Sequence, residues 1–354
     1  MQVMRQLEID GTIINQDSDC YVIAEIGHNH QGDLNTARKL FLAAKEAGVN
    51  AVKLQKRDNK SLFTRAMYER PYDSENSFGP TYGAHREFLE FGETEYRELQ
   101  RYAKEIGITF FATAFDANSA DFLAGLDMPA FKMASGDLTN IPLLKHVARY
   151  QKPMLLSTGG GDLDAVRRAH DAVVAINPRL CLMQCTAGYP PEFGELNLRV
   201  INTFAREFPD ALIGFSSHDS GIAMALVAYV LGARVVEKHL TLNRAMRGTD
   251  HAFSLEPVGI RKVVRDLRRA RVALGSGVKT PYPSEAAPLM KMAKKLVASR
   301  DLPAGQILTS EDVTSKSPGD GLPPHAWDKV IGRRTRVALR ADDNIRLEDL
   351  EASS

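Results

Sequence analysis

The sequence lacks an excess of charge of either sign. It carries 45 Lys and Arg against 44 Asp and Glu over 354 residues, a formal net charge of +1. Proteins that bind nucleic acid or membrane surfaces usually show one-sided charge, so neither partner class is expected. The one strongly basic run, 262–271 (KVVRDLRRAR), has apolar residues at helical spacing and reads as a solvated helix face. Cysteine is scarce as well: Cys20, Cys181 and Cys185. An odd, sparse count builds no disulfide framework and points to a reducing compartment. Cys181 and Cys185 share the apolar run 180–185. On a strand they stand about 13 Å apart, too far for a shared metal or a disulfide, and both read as packing residues. No apolar stretch approaches the length of a membrane span, and MQVMRQLEID at the start has no apolar leader core. A cytoplasmic protein is expected.

What is present is a regular alternation. Hydrophobic residues make up 44% of the chain, enough for a sizeable core, and the length suits one large barrel with a small appendage. Eight short apolar runs, at 21–25, 51–55, 109–114, 130–134, 153–157, 180–185, 212–217 and 234–239, read as parallel strands covered on both faces. Amphipathic stretches follow, among them 35–47, 93–106, 162–175, 197–207, 222–231 and 259–274. Eight βα units predict an α/β fold, a (β/α)8 TIM barrel in preference to a doubly wound open sheet. Residues 56–92 make an unusually long connection carrying Arg65, Arg70, Tyr72, Tyr82, His85 and Arg86, and long connections are often functional. The barrel is expected over 1–275 and a Gly/Pro/Ser-containing linker over 276–289. A small, irregular, β-rich domain follows over 290–354.

Barrel active sites form at the C-terminal ends of the strands. Those ends carry Glu25, Lys53 with Gln55, Thr113, Lys132 with Ser135, Ser157, Thr186 with Tyr189, Ser216 with His218, and Glu237 with His239. Residues two apart on a strand point the same way, so His218 and His239 converge from neighbouring strands about 4.8 Å apart. Two inward imidazoles suit a divalent ion in an open coordination sphere. Lys53 and Lys132 with Ser135, Ser157 and Ser216 suit a ligand bearing phosphate and carboxylate. Lys132 also fits a Schiff-base aldolase, although that chemistry needs no metal. The run 157–162 (STGGGD) opens a helix and offers backbone N–H groups to an anion. Asp250, just past strand eight, orients a sugar hydroxyl or caps a helix.

The motifs AEIGHNHQG, VKLQ, FKMASGD, LLSTGGG, QCTAGYP, GFSSHD and VEKHLTLN…GTDHAFSLEP follow one another at successive strand ends. Together they resemble the sialic acid synthases. The segment LVASRDLPAGQILTSEDV…GLPP…VIGRRTRVAL resembles their SAF domain, which is similar to type III antifreeze proteins. The resemblance implies a synthase that joins phosphoenolpyruvate to an N-acetylhexosamine. His218 and His239 would hold Mn2+, with Mg2+ or Co2+ as alternatives. Lys53, Thr113, Lys132, Ser135, Ser157 and Ser216 would grip phosphoenolpyruvate, and Glu25, Gln55, Tyr189 and Asp250 would face the sugar. Glu25, Lys53, Lys132 and Glu237 would carry the catalysis. A homodimer with each SAF domain capping the partner's barrel is also implied. Two departures bear on the sugar: Ser317 stands where many bacterial members have Arg, and Ala187 where they have Asn. Conversely, ERPYDSENSFGPTYGAHR and EYRELQRYAKEIGI resemble the animal-type enzymes, which take the 6-phosphorylated sugar. Other nonulosonate synthases, and a catalytically silent sugar- or ice-binding protein, are the alternatives.

Overall fold

The computed structural model describes residues 5–352. Part of the N-terminal segment read for a leader therefore lies outside the described residues. The chain divides after Gly275 into two compact units.

The first unit is a closed parallel barrel of eight strands. They are β3 (Tyr21–Gly27), β4 (Ala51–Lys56), β5 (Thr109–Ala114), β6 (Phe131–Met133), β7 (Met154–Ser157), β8 (Leu180–Cys185), β9 (Leu212–Ser217) and β10 (Val235–His239), with β10 closing on β3. Every residue of β3, β5, β8 and β9 is buried, as strands between a packed interior and a helical ring must be. The main covering helices are α1 (Leu34–Ala47), α5 (Glu93–Ile106), α6 (Ala117–Gly125), α7 (Ile141–Ala148), α8 (Leu163–Val174), α9 (Val200–Glu207), α10 (Ala223–Val230) and α11 (Pro257–Leu274). Local sequence sets their limits. Asp33 accepts the Thr36 N–H to start α1, and Gly48, at φ 83°, stops it in the left-handed conformation that glycine tolerates. The basic run lies on α11, whose Ile260, Val263, Val264 and Leu267 are buried while its arginines face solvent, as expected.

Three features differ from the sequence reading. A hairpin, β1 (Gln6–Ile9) and β2 (Thr12–Asn15), precedes the barrel and buries Leu7, Ile9 and Ile14 in its core. Its Asp10-Gly11 turn, both residues at positive φ, is a strong hairpin signal. The 56–92 connection is not irregular: it folds into α2 (Asn59–Leu62), α3 (Arg65–Tyr68) and α4 (Tyr82–Leu89). The expected linker contains a short 3-10 turn, Pro283–Glu285, and α12 (Ala286–Met292) begins within it.

The second unit is small and irregular. It has one antiparallel pair, β11 (Lys295–Ala298) with β12 (Val313–Lys316), and isolated bridges elsewhere. Leu296, Ala298, Leu302, Leu308, Val313, Val330, Leu339, Ile345 and Leu350 form its own core. No helix among the described residues is long and apolar enough to cross a membrane.

Candidate active site

The C-terminal strand ends surround a cavity of about 460 Å3. Glu25, Lys53, Gln55, Thr113, Lys132, Ser135, Ser157, Tyr189, Ser216, His218, Glu237, His239 and Asp250 all line it. Every residue given a catalytic, binding or metal-holding role above is therefore brought to one place; Thr186, also named at a strand end, does not line the cavity and instead donates its hydroxyl to the Glu195 carbonyl. A larger, open hollow of about 1540 Å3 lies at the other end of the barrel, beside the hairpin. Its lysines and arginines are mostly exposed, and the N-terminal face of such barrels serves stability.

Two buried lysines define the cavity floor. Lys53 Nζ donates to Thr113 Oγ1 at 2.6 Å and lies 2.5 Å from Glu25 Oε2. Lys132 Nζ donates to Ser157 Oγ at 2.7 Å. Glu237 Oε1 sits between them, 3.7 Å from Lys53 and 3.9 Å from Lys132, and accepts from Ser216 Oγ at 3.3 Å. The two carboxyls part in character. Burial, aided by Glu237, raises Glu25 above the usual carboxylate range, whereas Lys132 and Lys53 overcome burial and hold Glu237 low. Burial lowers Lys132.

The histidines meet beside this floor with ring centroids 5.4 Å apart. His218 Nδ1 donates to the Thr186 carbonyl at 2.9 Å, which leaves Nε2 with its lone pair. His239 Nδ1 is buried with no hydrogen-bond partner, and Asp250 Oδ2 lies 3.7 Å from it. Burial and then His218 push His239 well below the usual imidazole range, so the ring is neutral at neutral pH and keeps one nitrogen lone pair for an ion. These are the properties of a site for a divalent ion. Among the described residues no group of three or more His, Cys, Asp or Glu converges as a metal cage. The protein would thus supply two imidazoles, with substrate oxygens and water completing the sphere.

Backbone choices keep the cavity open. A Cβ at Gly159 would stand 2.8 Å from Ser135 Oγ and 3.1 Å from Ala187, so the turn after β7 can approach only as glycine. The Gly159 N–H donates to Ser135 Oγ at 3.0 Å, and Gly161 N–H to the Thr158 carbonyl. Two N–H groups of that turn are already engaged, and Asp162 caps α8, so the anion cradle expected there is mostly spent.

Some residues were missed or misread. Cys185 is not merely packing: it lines the cavity. Burial alone would raise its thiol, but His218, Ser135 and Lys132 bring it below the usual value. Its place as the last residue of β8 was the available signal. Arg57 also lines the cavity, and the alternation Lys53, Gln55, Arg57 continues the pleat that identified the first two. Of the 56–92 side chains, Arg86 reaches the cavity; Arg65 is exposed beside Glu69, and His85 is buried under Tyr72 and Phe78. Ser317 is held within its own unit, accepting from Lys294 Nζ at 2.7 Å and donating to the Met292 carbonyl.

Residues 40–279 match the NeuB family and residues 295–351 the SAF domain. The chain is 41% identical to human N-acetylneuraminate-9-phosphate synthase, over 96% of this chain and 95% of that protein. It is 35% identical to N,N'-diacetyllegionaminic acid synthase of Legionella pneumophila, over 94% and 95%. The crystal structure of an N-acetylneuraminic acid (sialic acid) synthetase from Leptospira borgpetersenii superposes with a TM-score of 0.70 at 30% identity, covering 80% of this chain and 95% of that one. The chain belongs to the NeuB family of sialic acid synthases and carries a SAF domain after its barrel.

Proposed function

We propose that this protein condenses phosphoenolpyruvate with N-acetylmannosamine, or its 6-phosphate, and water. The products are N-acetylneuraminate, or its 9-phosphate, and inorganic phosphate. The observation that carries the reading is the cavity floor: two buried lysines, each tied to a hydroxyl, face a shared Glu237 at the open end of the barrel. Such a floor offers fixed positive charge and directed hydrogen bonds to an anion with two charged groups. The relatives that make sialic acid 9-phosphate and legionaminic acid support the same reaction class.

In this reading Lys53 and Lys132 bind the phosphate and carboxylate of phosphoenolpyruvate, with Thr113, Ser135, Ser157 and Ser216 fixing its orientation. C3 attacks the sugar aldehyde, water captures the cationic C2, and phosphate leaves by C–O cleavage. The lysines stabilise the phosphate charge as it develops. Glu25, raised by burial and close to Lys53, exchanges a proton with the reacting groups. Gln55, Tyr189 and Asp250 position the sugar. A divalent metal, Mn2+ first among the candidates and Mg2+ or Co2+ as alternatives, would be held by His218 and His239 and would act as a Lewis acid toward the aldehyde. A homodimer in which each SAF domain serves the partner's barrel, in the cytoplasm, completes the proposal.

The test is phosphate release from phosphoenolpyruvate with a panel of hexosamines, before and after metal stripping with EDTA. Release should depend on the acceptor, fall on stripping and return with Mn2+. Release unaffected by stripping would remove the metal from the reading. A synthase of another nonulosonic acid is the second reading, supported by the 35% identity to the N,N'-diacetyllegionaminic acid synthase of Legionella pneumophila; the same panel separates the two.

A further inference from the structure

A buried ion pair lies behind the strands rather than in the cavity. Lys238 sits between Glu237 and His239 on β10, so the pleat turns its side chain away from both. It stands opposite Ser217 of β9, which alternates in the same way with the inward Ser216 and His218. Lys238 and Asp219 meet there, outside the cavity lining, with both side chains 2% exposed. Lys238 Nζ donates to the Asp219 carbonyl at 2.7 Å and to Asp219 Oδ1 at 2.9 Å, and Ser217 Oγ lies 3.4 Å away. The Ser217 hydroxyl donates to the same Oδ1.

Stability alone does not explain such a pair. Taking both charges out of water costs about as much as their attraction returns, and a well-packed apolar pair would hold the fold as well or better. What the ion pair adds is a fixed direction. The ladder between β9 and β10 ends at Ser217 opposite Lys238, one residue short of either histidine. Residues 218–222 belong to no helix or strand, and Gly221 sits at φ 128°, so the chain there has little stiffness of its own. The ring of His218 is fixed by the Thr186 carbonyl, which follows β8. Its backbone is fixed by the next residue, Asp219, through the Lys238 ammonium, and Lys238 is the chain neighbour of His239. Held in this way, the two imidazoles stand with ring centroids 5.4 Å apart and planes at 58°.

We propose that Lys238 and Asp219 are positioning residues. Their pair carries the tie between β9 and β10 one step past the end of the ladder and so sets the spacing of His218 and His239 for a divalent ion. The inference rests on the metal reading given under the proposed function. Partners that orient ligating side chains from behind typically change metal affinity about 10- to 100-fold when removed. A pair that only stabilised the barrel would change the melting temperature and leave that affinity alone.

The test uses the full chain, stripped of metal, with three variants: Lys238→Met, Lys238→Met combined with Asp219→Asn, and Leu99→Ala. Lys238→Met alone leaves the Asp219 charge buried without its partner and is the variant at risk of misfolding. The double variant removes both charges, and its amide oxygen can still accept from Ser217. Leu99 is buried on α5, across the barrel from β9 and β10, so Leu99→Ala loosens the core away from the histidines. A thermal melt of each variant checks folding. Mn2+ affinity, from calorimetric titration without substrates, should weaken about 10- to 100-fold in the double variant. It should stay within about 2-fold of wild type in Leu99→Ala. In protein labelled with 15N at histidine, the metal-free double variant should show displaced ring signals for His218 and unmoved ones for His325 in the second unit. A folded double variant whose Mn2+ affinity stays within about 2-fold of wild type overturns the proposal, as does an equal loss in Leu99→Ala. A wild type that takes up none of Mn2+, Mg2+ or Co2+ would refute the metal reading instead. The ring signals then decide the positioning role: displaced in the double variant they support it, and unmoved they overturn it.

Discussion

The floor and the outer wall of one cavity handle positive charge in opposite ways. On the floor, Lys53 and Lys132 are neutralised in advance by Glu25 and Glu237 and fixed by Thr113 and Ser157. On the wall, Arg57 and Arg86 face the His28 imidazole, which can satisfy only one of them, and Glu90 Oε2 lies 3.8 Å from its Nε2. A pre-paired floor costs little to hold empty and can shift its pairing as charge develops in a reaction. A wall held by a neutral ring has no such pairing to shift. The contrast teaches that the reacting end is separable from the wall around it, the two joined through Gln55.

Substitutions can break or sharpen that contrast. The largest effect is expected for Glu25→Gln, which keeps the shape but cannot exchange a proton: kcat should fall about 10²- to 10⁴-fold with either acceptor, read by phosphate release. Lys53→Met should lower kcat about 10²- to 10³-fold, again whatever the acceptor. It also leaves Glu25 without its cation and should destabilise the fold by about 3–5 kcal/mol, read by denaturant unfolding. If either floor variant lost activity with one acceptor alone, floor and wall would not be separable. Gln55→Ala touches both ends. A loss of about 10-fold is expected, because Arg57 loses the acceptor at 2.7 Å.

The smallest effect is on stability against pH. His28, His30 and His239 all titrate below the ordinary imidazole value of 6.5 when folded, His30 at about 3, because each is buried. The unfolded chain therefore takes up protons first as pH falls below 6.5, and stability is lost progressively from there downward. Glu25, His218 and Asp137 oppose this, since each is raised in the folded state, but His85 and His251 are lowered as well, so five lowered imidazoles stand against three raised groups. A melting temperature that falls between about pH 6.5 and 4 is expected. His30→Phe, which keeps the stack on Phe91 at 4.0 Å, should flatten the slope.

The barrel was legible because its eight strands are buried on both faces and so read as unbroken apolar runs. The site was legible because strand ends in such a barrel converge, and the two-residue pleat then sorted Lys53 with Gln55 and Glu237 with His239. Arg57 lies on the same alternation but just past the end of β4 at Lys56, where the apolar run has stopped. His28 follows a bulge between Glu25 and Gly27, so counting along the strand does not give its direction. Gly27, at φ 52° and with room for no Cβ free of Gln55 and Glu25, makes that turn. The 56–92 connection hid its helices because α2 and α3 are four residues each and no period develops. The Cys185 reading failed because cysteine scarcity speaks to disulfides, and says nothing of a single thiol beside an imidazole.

The proposed reaction is tested most directly by which bond of phosphoenolpyruvate breaks. The measurement is the fate of heavy oxygen placed at the bridging ester position, followed by mass spectrometry of the phosphate released with N-acetylmannosamine or its 6-phosphate. Condensation on this floor predicts that the label leaves with the phosphate, by C–O cleavage. Unlabelled phosphate, with the heavy oxygen kept in the organic product, would mean P–O cleavage and would contradict the assignment of the site.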